Sequence, residues 1–408
     1  MRLQVIPFEP AHLHAVGDLF AATWDRPRSE AFLRWRLLDW PGHHGVVALR
    51  PSGECVAFIS AARRLYRYPD GVVGPVSETL DWIARPELQG AGLGIRVLQK
   101  LMALNKAEGV PLLTVGGTED TRALVPRLGW VEVGDAPSFL LPLAGDALDE
   151  QWGRLSQEKL NQSERLGGLV RRFPRVFTVA THLATAVAGR TWFAHPPRVA
   201  APPGGRVVAV APGVNHMVQG VERVPAPGAN HMVRGVERGS APGVNHMVQP
   251  GAEPDRALFA GFAGTTPLPV PGRDTWLTRC PGGGPHVFLR FEIDGHLVGH
   301  SHARLHHEGA DIVDIFSMNP ELYPWLVQAT VARLLPHRPR LIRTRASLPA
   351  LQVALTQQRF LRGGPVPVLC FAAGGRLPEA PLHLTRGSAD EPVLPYPMER
   401  LRSGTGRD

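Results

Sequence analysis

A fifteen-residue unit occurs three times in the middle of the chain and separates two longer stretches of ordinary globular sequence. The copies begin at Ala211, Ala226 and Ala241. Solenoid repeats are usually about 20 residues or longer and bury a periodic apolar face, whereas these units offer only a spaced pair of valines between Pro-Gly breaks. We therefore interpret residues 196–254 as a Pro/Gly-rich linker between two domains. Its Asn-His-Met triplets contain copper ligands, but an expanded linker is the simpler interpretation.

Chain length and composition agree with a two-domain protein. The 408 residues are 44% hydrophobic, which is enough for two or three cores and excludes a wholly disordered chain. The cysteines, Cys55, Cys280 and Cys370, are odd in number and far apart, so neither a disulfide framework nor a four-thiolate zinc site is available. Glu9 and Asp18 interrupt the stretch where a signal peptide would be apolar. We expect a cytoplasmic protein.

The positive charge of the chain lies in its second part. The net charge is +8, yet residues 1–146 hold 15 Lys and Arg against 16 Asp and Glu. The excess consists of scattered arginines, without the basic blocks and interleaved aromatic residues that favour nucleic-acid binding. We therefore expect no nucleic-acid partner.

Residues 1–146 alternate helical and strand patterns, which predicts an α/β (α+β) domain with a mixed, mostly antiparallel sheet. Apolar residues at helical spacing predict two helices at the start, and a third follows Gly94. The predicted strands are 45–49, 55–60, 61–66, 76–84 and 112–115, with a short helix over 120–128 and a closing strand after it.

A glycine-rich turn, Arg85-Pro-Glu-Leu-Gln-Gly-Ala-Gly-Leu-Gly94, joins the fourth of these strands to the third helix. Glycine lets the backbone approach a bound group closely, and the free amides that open a helix attract negative charge. A diphosphate group suits such a turn. A tight strand-to-helix connection without a ligand is the alternative.

Two motifs together resemble the GCN5-related N-acetyltransferases. The first is Gln89-x-x-Gly92-x-Gly94 after Pro86-Glu87, which is similar to the acetyl-CoA loop of that family, and the second is Leu128-Gly129-Trp130 at the family's leucine-glycine-aromatic turn. The resemblance covers nearly all of residues 1–146. It implies that acetyl-CoA is the cofactor and that strands 76–84 and 112–115 splay to admit its thioester. The cofactor-binding residues it implies are Gln89, Gly90, Ala91, Gly92, Leu93 and Gly94 for the pyrophosphate, and Trp82, Ile83 and Ala84 for the pantetheine arm.

Glu78 is the candidate catalytic base. The resemblance implies a base eleven residues before the loop glutamine, which is the position of Glu78. Strand alternation predicts that Glu78 shares a face with Val76, Leu80 and Trp82. A carboxylate there would take the proton that an attacking amine must lose. A solvated glutamate is the plain alternative, and Asp81, Glu119 and Asp120 are the other candidate bases.

The sequence departs from the family pattern at Val125, where the family commonly has a tyrosine as general acid. Valine has no proton to donate, so water or another hydroxyl, such as that of Tyr66 or Tyr68, would protonate the thiolate, or the chemistry is slow or lost. On the second predicted helix, Arg34 and Arg36 flank Trp35. They would either grip an anionic group of the acceptor or serve as surface charges beside a core tryptophan.

The strand and helix order of the first domain recurs over residues 255–375, where Ser317-Met-Asn-Pro320 stands in place of the glycine-rich loop. We interpret this half as a second acetyltransferase-like domain without the cofactor loop. Its histidines invite a zinc hypothesis, but no carboxylate or cysteine has suitable spacing, and we expect no metal. The histidines concerned are His296, His300, His302, His306 and His307.

The remaining segments receive simple interpretations. Residues 147–195 form a predicted helical connector whose part 169–192 is apolar enough to lie on a membrane surface and too short to span a bilayer. Packing against a domain is the preferred interpretation, so we expect no membrane span. The tail, 376–408, is rich in Pro, Gly and charge and is predicted to be disordered.

These observations predict an acyl-CoA-dependent N-acyltransferase that moves an acetyl group from acetyl-CoA to a primary amine of a small molecule or amino sugar. The first alternative is a module that binds acyl-CoA without transfer and acts through a partner, and Val125 favours it. The second is an aminoacyl-tRNA-dependent transferase, which the intact cofactor loop disfavours. The pattern leaves the oligomeric state open.

Overall fold

The structure, a computed structural model, describes residues 3–24, 28–40, 42–88, 90–117, 119–143, 197–210, 221–222, 262–267, 280–281, 283–306 and 309–385. The predicted helical connector, the fifteen-residue repeats apart from 221–222, Gln89 and His307 lie outside these residues. Side chains of Glu119 and Asp120 are likewise outside the description.

Helices and strands follow the predicted order, and the predicted α/β class with two sheets flanked by helices is confirmed. In the described part of the chain the helices are α1 (Leu13–Trp24), α2 (Glu30–Leu37), α3 (Leu93–Glu108), α4 (Glu119–Leu124), α5 (Tyr323–Leu334) and α6 (Pro349–Gln357). The strands of the first half are β1 (Gln4–Pro7), β2 (His43–Leu49), β3 (Cys55–Arg67), β4 (Val73–Ala84), β5 (Leu112–Val115), β6 (Val131–Asp135) and β7 (Ser138–Pro142). The later strands are β8 (Gly205–Val210), β9 (Val221–Glu222), β10 (Thr266–Pro267), β11 (His286–Ile293), β12 (His296–His306), β13 (Gly309–Ser317), β14 (Leu341–Arg345), β15 (Leu361–Arg362) and β16 (Pro367–Phe371).

The first sheet has the strand order β1-β2-β3-β4-β5-β16-β6, with β10 paired to β3. The helices α1 and α2 cover one face, where Phe20 and Trp35 pack against Phe58 and Leu80. The helix α3 covers the other face through a separate apolar core. Each face of the sheet is therefore buried by its own helix layer, as expected for a sheet with mixed strand directions.

The second sheet repeats this order as β15-β7-β14-β13-β12-β11-β8-β9. A core formed with α5 and α6 covers one face, through residues such as Leu326 and Leu351. In both sheets the central parallel pair follows three antiparallel strands, β4 beside β5 and β13 beside β14. The two halves are thus two copies of one architecture.

The halves exchange their seventh strands. Strand β7 from the first half pairs antiparallel with β14 over Phe139↔Thr344 to Pro142↔Leu341, and its side chains enter the core of the second half. Strand β16 from the second half lies between β5 and β6, where Phe371 is opposite Leu112. The predicted division at residues 146 and 255 did not anticipate this exchange, since a strand pattern does not specify which sheet a strand joins.

Three further expectations were wrong in detail. Residues 55–67 form one strand, because no turn residue separates Ser60 from Ala61. Strand β8 lies inside the predicted linker and pairs with β11 through apolar valines. Part of the predicted disordered tail is structured, since Leu382 and Thr385 form β-bridges and Leu384 is fully buried.

Among the described residues, no helix is both long and apolar enough to cross a membrane.

The strand exchange predicts that a change in β7 destabilises the second sheet. Phe139 is buried in the core of the second half, so Phe139→Ala should cost about 3–5 kcal/mol of unfolding free energy. Hydrogen exchange should accelerate first at the amides of β14, next to the damaged strand. The control, Val353→Ala, removes an exposed side chain of α6 and should change stability by about 0.5 kcal/mol or less. Faster exchange confined to β5 and β6 would contradict the assignment.

Candidate active site

A bulge in β4 shapes the centre of the first sheet. The β3–β4 register shifts between Phe58 and Ser60, and opposite this point Asp81 adopts a left-handed backbone with φ of +41°. The buried Asp81 carboxylate accepts a hydrogen bond from Arg36 Nε at 3.0 Å and another from the Ser60 hydroxyl. A bulge with an added residue changes which side chains face which layer. The backbone conformation here is anchored by a buried ion pair.

The bulge overturns part of the predicted alternation. Leu80 and Ile83 both join the core under α1 and α2, although they are three residues apart. Trp82 and Ala84 pack on the opposite side, with α3. Glu78 lies before the bulge and keeps the expected face, since its ladder partner Ala62 also belongs to the α1/α2 core. Trp82 therefore does not share a face with Glu78.

Strands β4 and β5 pair only at Ser77↔Leu112 and Glu78↔Leu113. Strand β4 continues to Ala84, and β5 continues to Val115 along β16. The strands therefore diverge after Glu78, and among the residues that the structure describes the β5-facing edge of β4 has no ladder partner there. The backbone groups of such an edge need hydrogen-bond partners, which an extended ligand can supply.

The glycine-rich turn lies at the open end of this divergence. Gly90 and Gly92 have φ of +86° and +73°, and a Cβ built on either meets no atom of the described residues within 4 Å. Gly92 caps α3 without a side-chain hydrogen bond, and the first helical bond runs from Arg96 N to Gly92 O. The amides of the first turn of α3 have no acceptor within the helix, and the positive end of the helix dipole lies at this end.

Trp82 fixes the start of α3 against β4. Its indole Nε1 donates to Gly94 O at 3.0 Å, and a Cβ on Gly94 would lie 3.1 Å from that nitrogen. A side chain at Gly94 would therefore crowd the contact. Of the residues predicted to bind the cofactor, the structure brings Gly90 to Gly94 together with the end of β4, while Gln89 lies outside the described residues.

The candidate base Glu78 is buried with two polar neighbours from β3. Its Oε1 atom accepts from Arg64 Nη1 at 2.9 Å and from the Tyr66 hydroxyl at 2.6 Å. Within the described part of the chain, Oε2 has no hydrogen-bond partner. Burial raises the pKa of Tyr66 well above its ordinary value, with the Glu78 charge acting in the same direction. The phenol therefore remains a proton donor at neutral pH.

Most of the other candidates have structural roles. Asp81 is committed to Arg36, and Val125 is buried in the core with α3. The Tyr68 hydroxyl donates to Arg376 O at 2.9 Å, and the Arg376 guanidinium stacks on its ring. Arg34 is exposed and forms a surface pair with Glu30. The structure thus gives neither Arg34 nor Arg36 a role in binding an acceptor substrate, and Arg36 is a buried core residue.

The second half contributes side chains that the sequence did not point to, namely Val313, Asp314 and His383. Val313 of β13 belongs to the α1/α2 core, the cluster that also contains Ala62 and Leu80. The next residue, Asp314, accepts hydrogen bonds from His300 Nε2 at 3.1 Å and from His383 Nε2 at 3.3 Å. Packing of the two halves brings Val313 to this core, whereas the fold of the second half brings His300, Asp314 and His383 together.

The matching region of the second half is closed. The second residue pair of the parallel ladder β13–β14 contains an acidic residue, Asp311, as the second pair of β4–β5 contains Glu78. The Asp311 carboxylate is fully buried and accepts hydrogen bonds from Arg304 and Arg343. The Asn319 side chain caps the amide of Glu321. Pro320 and Pro324 remove two amide donors at the start of α5. The Thr385 hydroxyl oxygen lies 3.0 Å from Val313 O at the edge of β13.

The histidines of the second half contact other side chains. Asp314 is the partner of His300, and His286 Nδ1 lies 2.8 Å from His302 Nε2. In the described part of the chain no group of three or more His, Cys, Asp or Glu side chains could hold a metal ion.

Comparisons with known proteins identify the fold. No family model and no curated protein sequence matches the chain. The structure is similar to a probable N-acyltransferase from Enterococcus faecalis V583, at 10% identity and a TM-score of 0.52, covering 92% of this chain and 73% of that one. It is also similar to a GCN5-related N-acetyltransferase from Anabaena variabilis ATCC 29413, at 11% identity and a TM-score of 0.52. That match covers 91% of this chain and 73% of the other. The predicted resemblance is thus confirmed at the level of the fold.

The buried Arg64–Glu78 pair yields a stability prediction. Arg64→Met leaves the Glu78 carboxylate inside the protein without its counter-charge, and should lower the unfolding free energy by about 3–5 kcal/mol. Urea denaturation would measure the loss. The double variant Arg64→Met with Glu78→Gln should recover most of it, because the uncompensated charge is gone. Arg34→Met breaks an exposed pair and should leave the urea midpoint unchanged. An unchanged midpoint in Arg64→Met would contradict this account.

Proposed function

We propose that this protein is an acyl-CoA-dependent N-acyltransferase whose first half binds acetyl-CoA and transfers the acetyl group to a primary amine. The observation that carries the proposal is the open glycine turn at the start of α3, next to a β4 edge that has no ladder partner beyond Glu78. The fold shared with N-acyltransferases supports it.

The chain's residues fit the proposed cofactor in two places. The uncapped amides from Gly92 to Gly94 would hold the pyrophosphate, since backbone donors at a helix start favour an anion. The edge of β4 from Trp82 to Ala84 would pair with the amides of the pantetheine arm. The open volume above Gly90 and Gly92 leaves room for the ligand, whereas the second half offers a capped helix and prolines.

Glu78 is the proposed general base. When bound, acetyl-CoA supplies a thioester whose carbon–sulfur bond breaks as the carbon–nitrogen bond of the product forms. The amine must lose a proton in this exchange, and the free Oε2 of Glu78 is the atom we assign to receive it. Arg64 and Tyr66 fix the other oxygen, so that they orient the carboxylate while Oε2 remains available.

Solvent is the proposed source of the proton for the leaving thiolate. Val125 has no proton to give, and the Tyr68 hydroxyl is committed to Arg376 O. The Tyr66 hydroxyl donates to Glu78 and is fully buried, so we assign it a positioning role.

A binding module without turnover is the second candidate function. Val125 in the apolar core and the commitment of Glu78 Oε1 to an ion pair favour it. The two functions differ in one measurable respect, because both predict acyl-CoA binding and only the enzyme releases CoA in proportion to added amine.

Cofactor binding is tested by a methyl group over the glycine turn. Gly92→Ala should raise the dissociation constant for CoA at least tenfold in calorimetry, because the new methyl enters the space above the free amides. Gly295→Ala is a matched control, since Gly295 has φ of +83° and an equally open Cβ position in the β11–β12 hairpin of the second sheet. Both variants should incur similar backbone strain of about 1–2 kcal/mol. Equal CoA affinity in the two variants would argue against the site.

The base is tested by turnover. Glu78→Gln should lower kcat by about 10²–10⁴-fold in a thiol-release assay with acetyl-CoA and amines, because the amide cannot take the proton. The dissociation constant for CoA should stay within about twofold of the wild type. The control Glu132→Gln alters an exposed carboxyl of β6 and should leave kcat unchanged. Full activity in Glu78→Gln would remove Glu78 from the mechanism, and CoA binding without any turnover in the wild type would favour the module.

A further inference from the structure

The second half contributes a carboxylate to the surroundings of Glu78. Val313 packs in the same apolar core as Ala62 and Leu80, and these two residues adjoin Glu78, one across the β3–β4 ladder and one along β4. Asp314 follows Val313 on β13, so its backbone runs past the α1/α2 face of the first sheet on which Glu78 lies. The acceptor side of the proposed site is therefore bounded by β13.

Electrostatics supports the same placement. Burial lowers the pKa of Arg64, but its interactions with Glu78, Tyr66 and Asp314 outweigh this effect and raise the pKa above its ordinary value. An effect of Asp314 on the guanidinium that binds Glu78 requires the two carboxylates to lie in one neighbourhood, because charge interactions fall off with distance. Arg64 is therefore influenced by a carboxylate from each half of the protein, Glu78 and Asp314.

Asp314 is held rigidly and remains accessible. Its Oδ1 atom accepts from the Thr385 hydroxyl at 2.9 Å, from the Ile315 amide and from His383 Nε2, while Oδ2 accepts from His300 Nε2. Its side chain is still 27% exposed, against 3% for Glu78 and 4% for Arg64. Asp314 is thus the most accessible charge of this group, with its carboxylate already oriented.

The charge of Asp314 suits a cation. Burial acts to raise the pKa of its carboxyl, but the hydrogen bonds and charges of His300 and His383 hold it well below the ordinary value, so the group is ionised at neutral pH. A neutral imidazole can donate the N–H that each of these bonds needs. Arg64 is already bound to Glu78. The Asp314 carboxylate itself is therefore the negatively charged group at the accessible part of this cluster.

On the basis of the proposed function, we propose that Asp314 binds a second, cationic ammonium group of the acceptor, and that the enzyme prefers aliphatic diamines over monoamines of equal chain length. The acceptor's reacting nitrogen lies at Glu78, and its other end lies at Asp314. Val313 and Leu80 are buried in one apolar core, so they hold in place the strands that carry the two carboxylates. The second half thus determines acceptor specificity, although its own cofactor region is closed.

Matched pairs of amines test this inference. We expect kcat/KM for 1,3-diaminopropane and 1,5-diaminopentane to exceed that for propylamine and pentylamine by at least tenfold in the wild type. Asp314→Asn should reduce the ratio to within about twofold of one, because the amide keeps the shape and loses the charge. Asp314→Glu keeps the charge and should retain a preference. The control Asp294→Asn changes an exposed carboxylate in the hairpin of the same sheet, where asparagine tolerates the positive φ, and should keep the full ratio.

Binding measurements separate failure of this inference from failure of the proposed function. Calorimetric titration of each amine into the CoA complex should show at least tenfold tighter binding of the diamines, and this difference should be lost in Asp314→Asn even without turnover. CoA affinity and thermal unfolding report whether the variants fold. Equal binding of diamines and monoamines by the wild type, or an unchanged preference in Asp314→Asn, would overturn the inference alone. Absence of CoA binding would overturn the proposed function itself.

Discussion

Neither sheet of this protein is complete without a strand from the other half. A sheet edge exposes unpaired backbone groups, and β5 and β14 each satisfy theirs with a strand from far away in sequence. The exchange ties the two halves together with continuous hydrogen-bond ladders. It thereby constrains how β13 passes over the α1/α2 face of the first sheet, and the surroundings of Glu78 depend on that placement.

The two halves use one architecture in different ways. In the first, divergence of β4 and β5 leads to uncapped amides and open space at Gly92. In the second, the equivalent divergence meets the Thr385 hydroxyl, and prolines and the Asn319 cap occupy the start of the helix. The two halves differ in the backbone amides at the start of the helix. In the first half these amides have no side-chain cap, whereas in the second half prolines remove two of them and Asn319 caps another. Such asymmetry leaves the second half available to contact an acceptor.

Much of the first half could be predicted from the sequence, because its signals are local. Apolar spacing located α1 and α2, and the glycine-rich turn was expected between a strand and a helix, which are β4 and α3. The bulge at Asp81 was missed because strand alternation assumes a regular ladder, so Trp82 was assigned to the wrong face. The Arg64–Glu78–Tyr66 group and the His300–Asp314–His383 group join residues from different strands. Only tertiary packing brings these together.

The exchange of strands also orders events during synthesis. A ribosome releases the chain from its N-terminus, and domains generally fold as they emerge. Here β5 lacks its neighbour until Pro367–Phe371 has left the exit tunnel, which is more than 220 residues after β6 ends at Asp135. The half that carries the glycine turn must therefore wait, with an unprotected sheet edge, for nearly the whole chain to be translated. Until the last strand arrives, the backbone groups along this edge of β5 are available to pair with another chain.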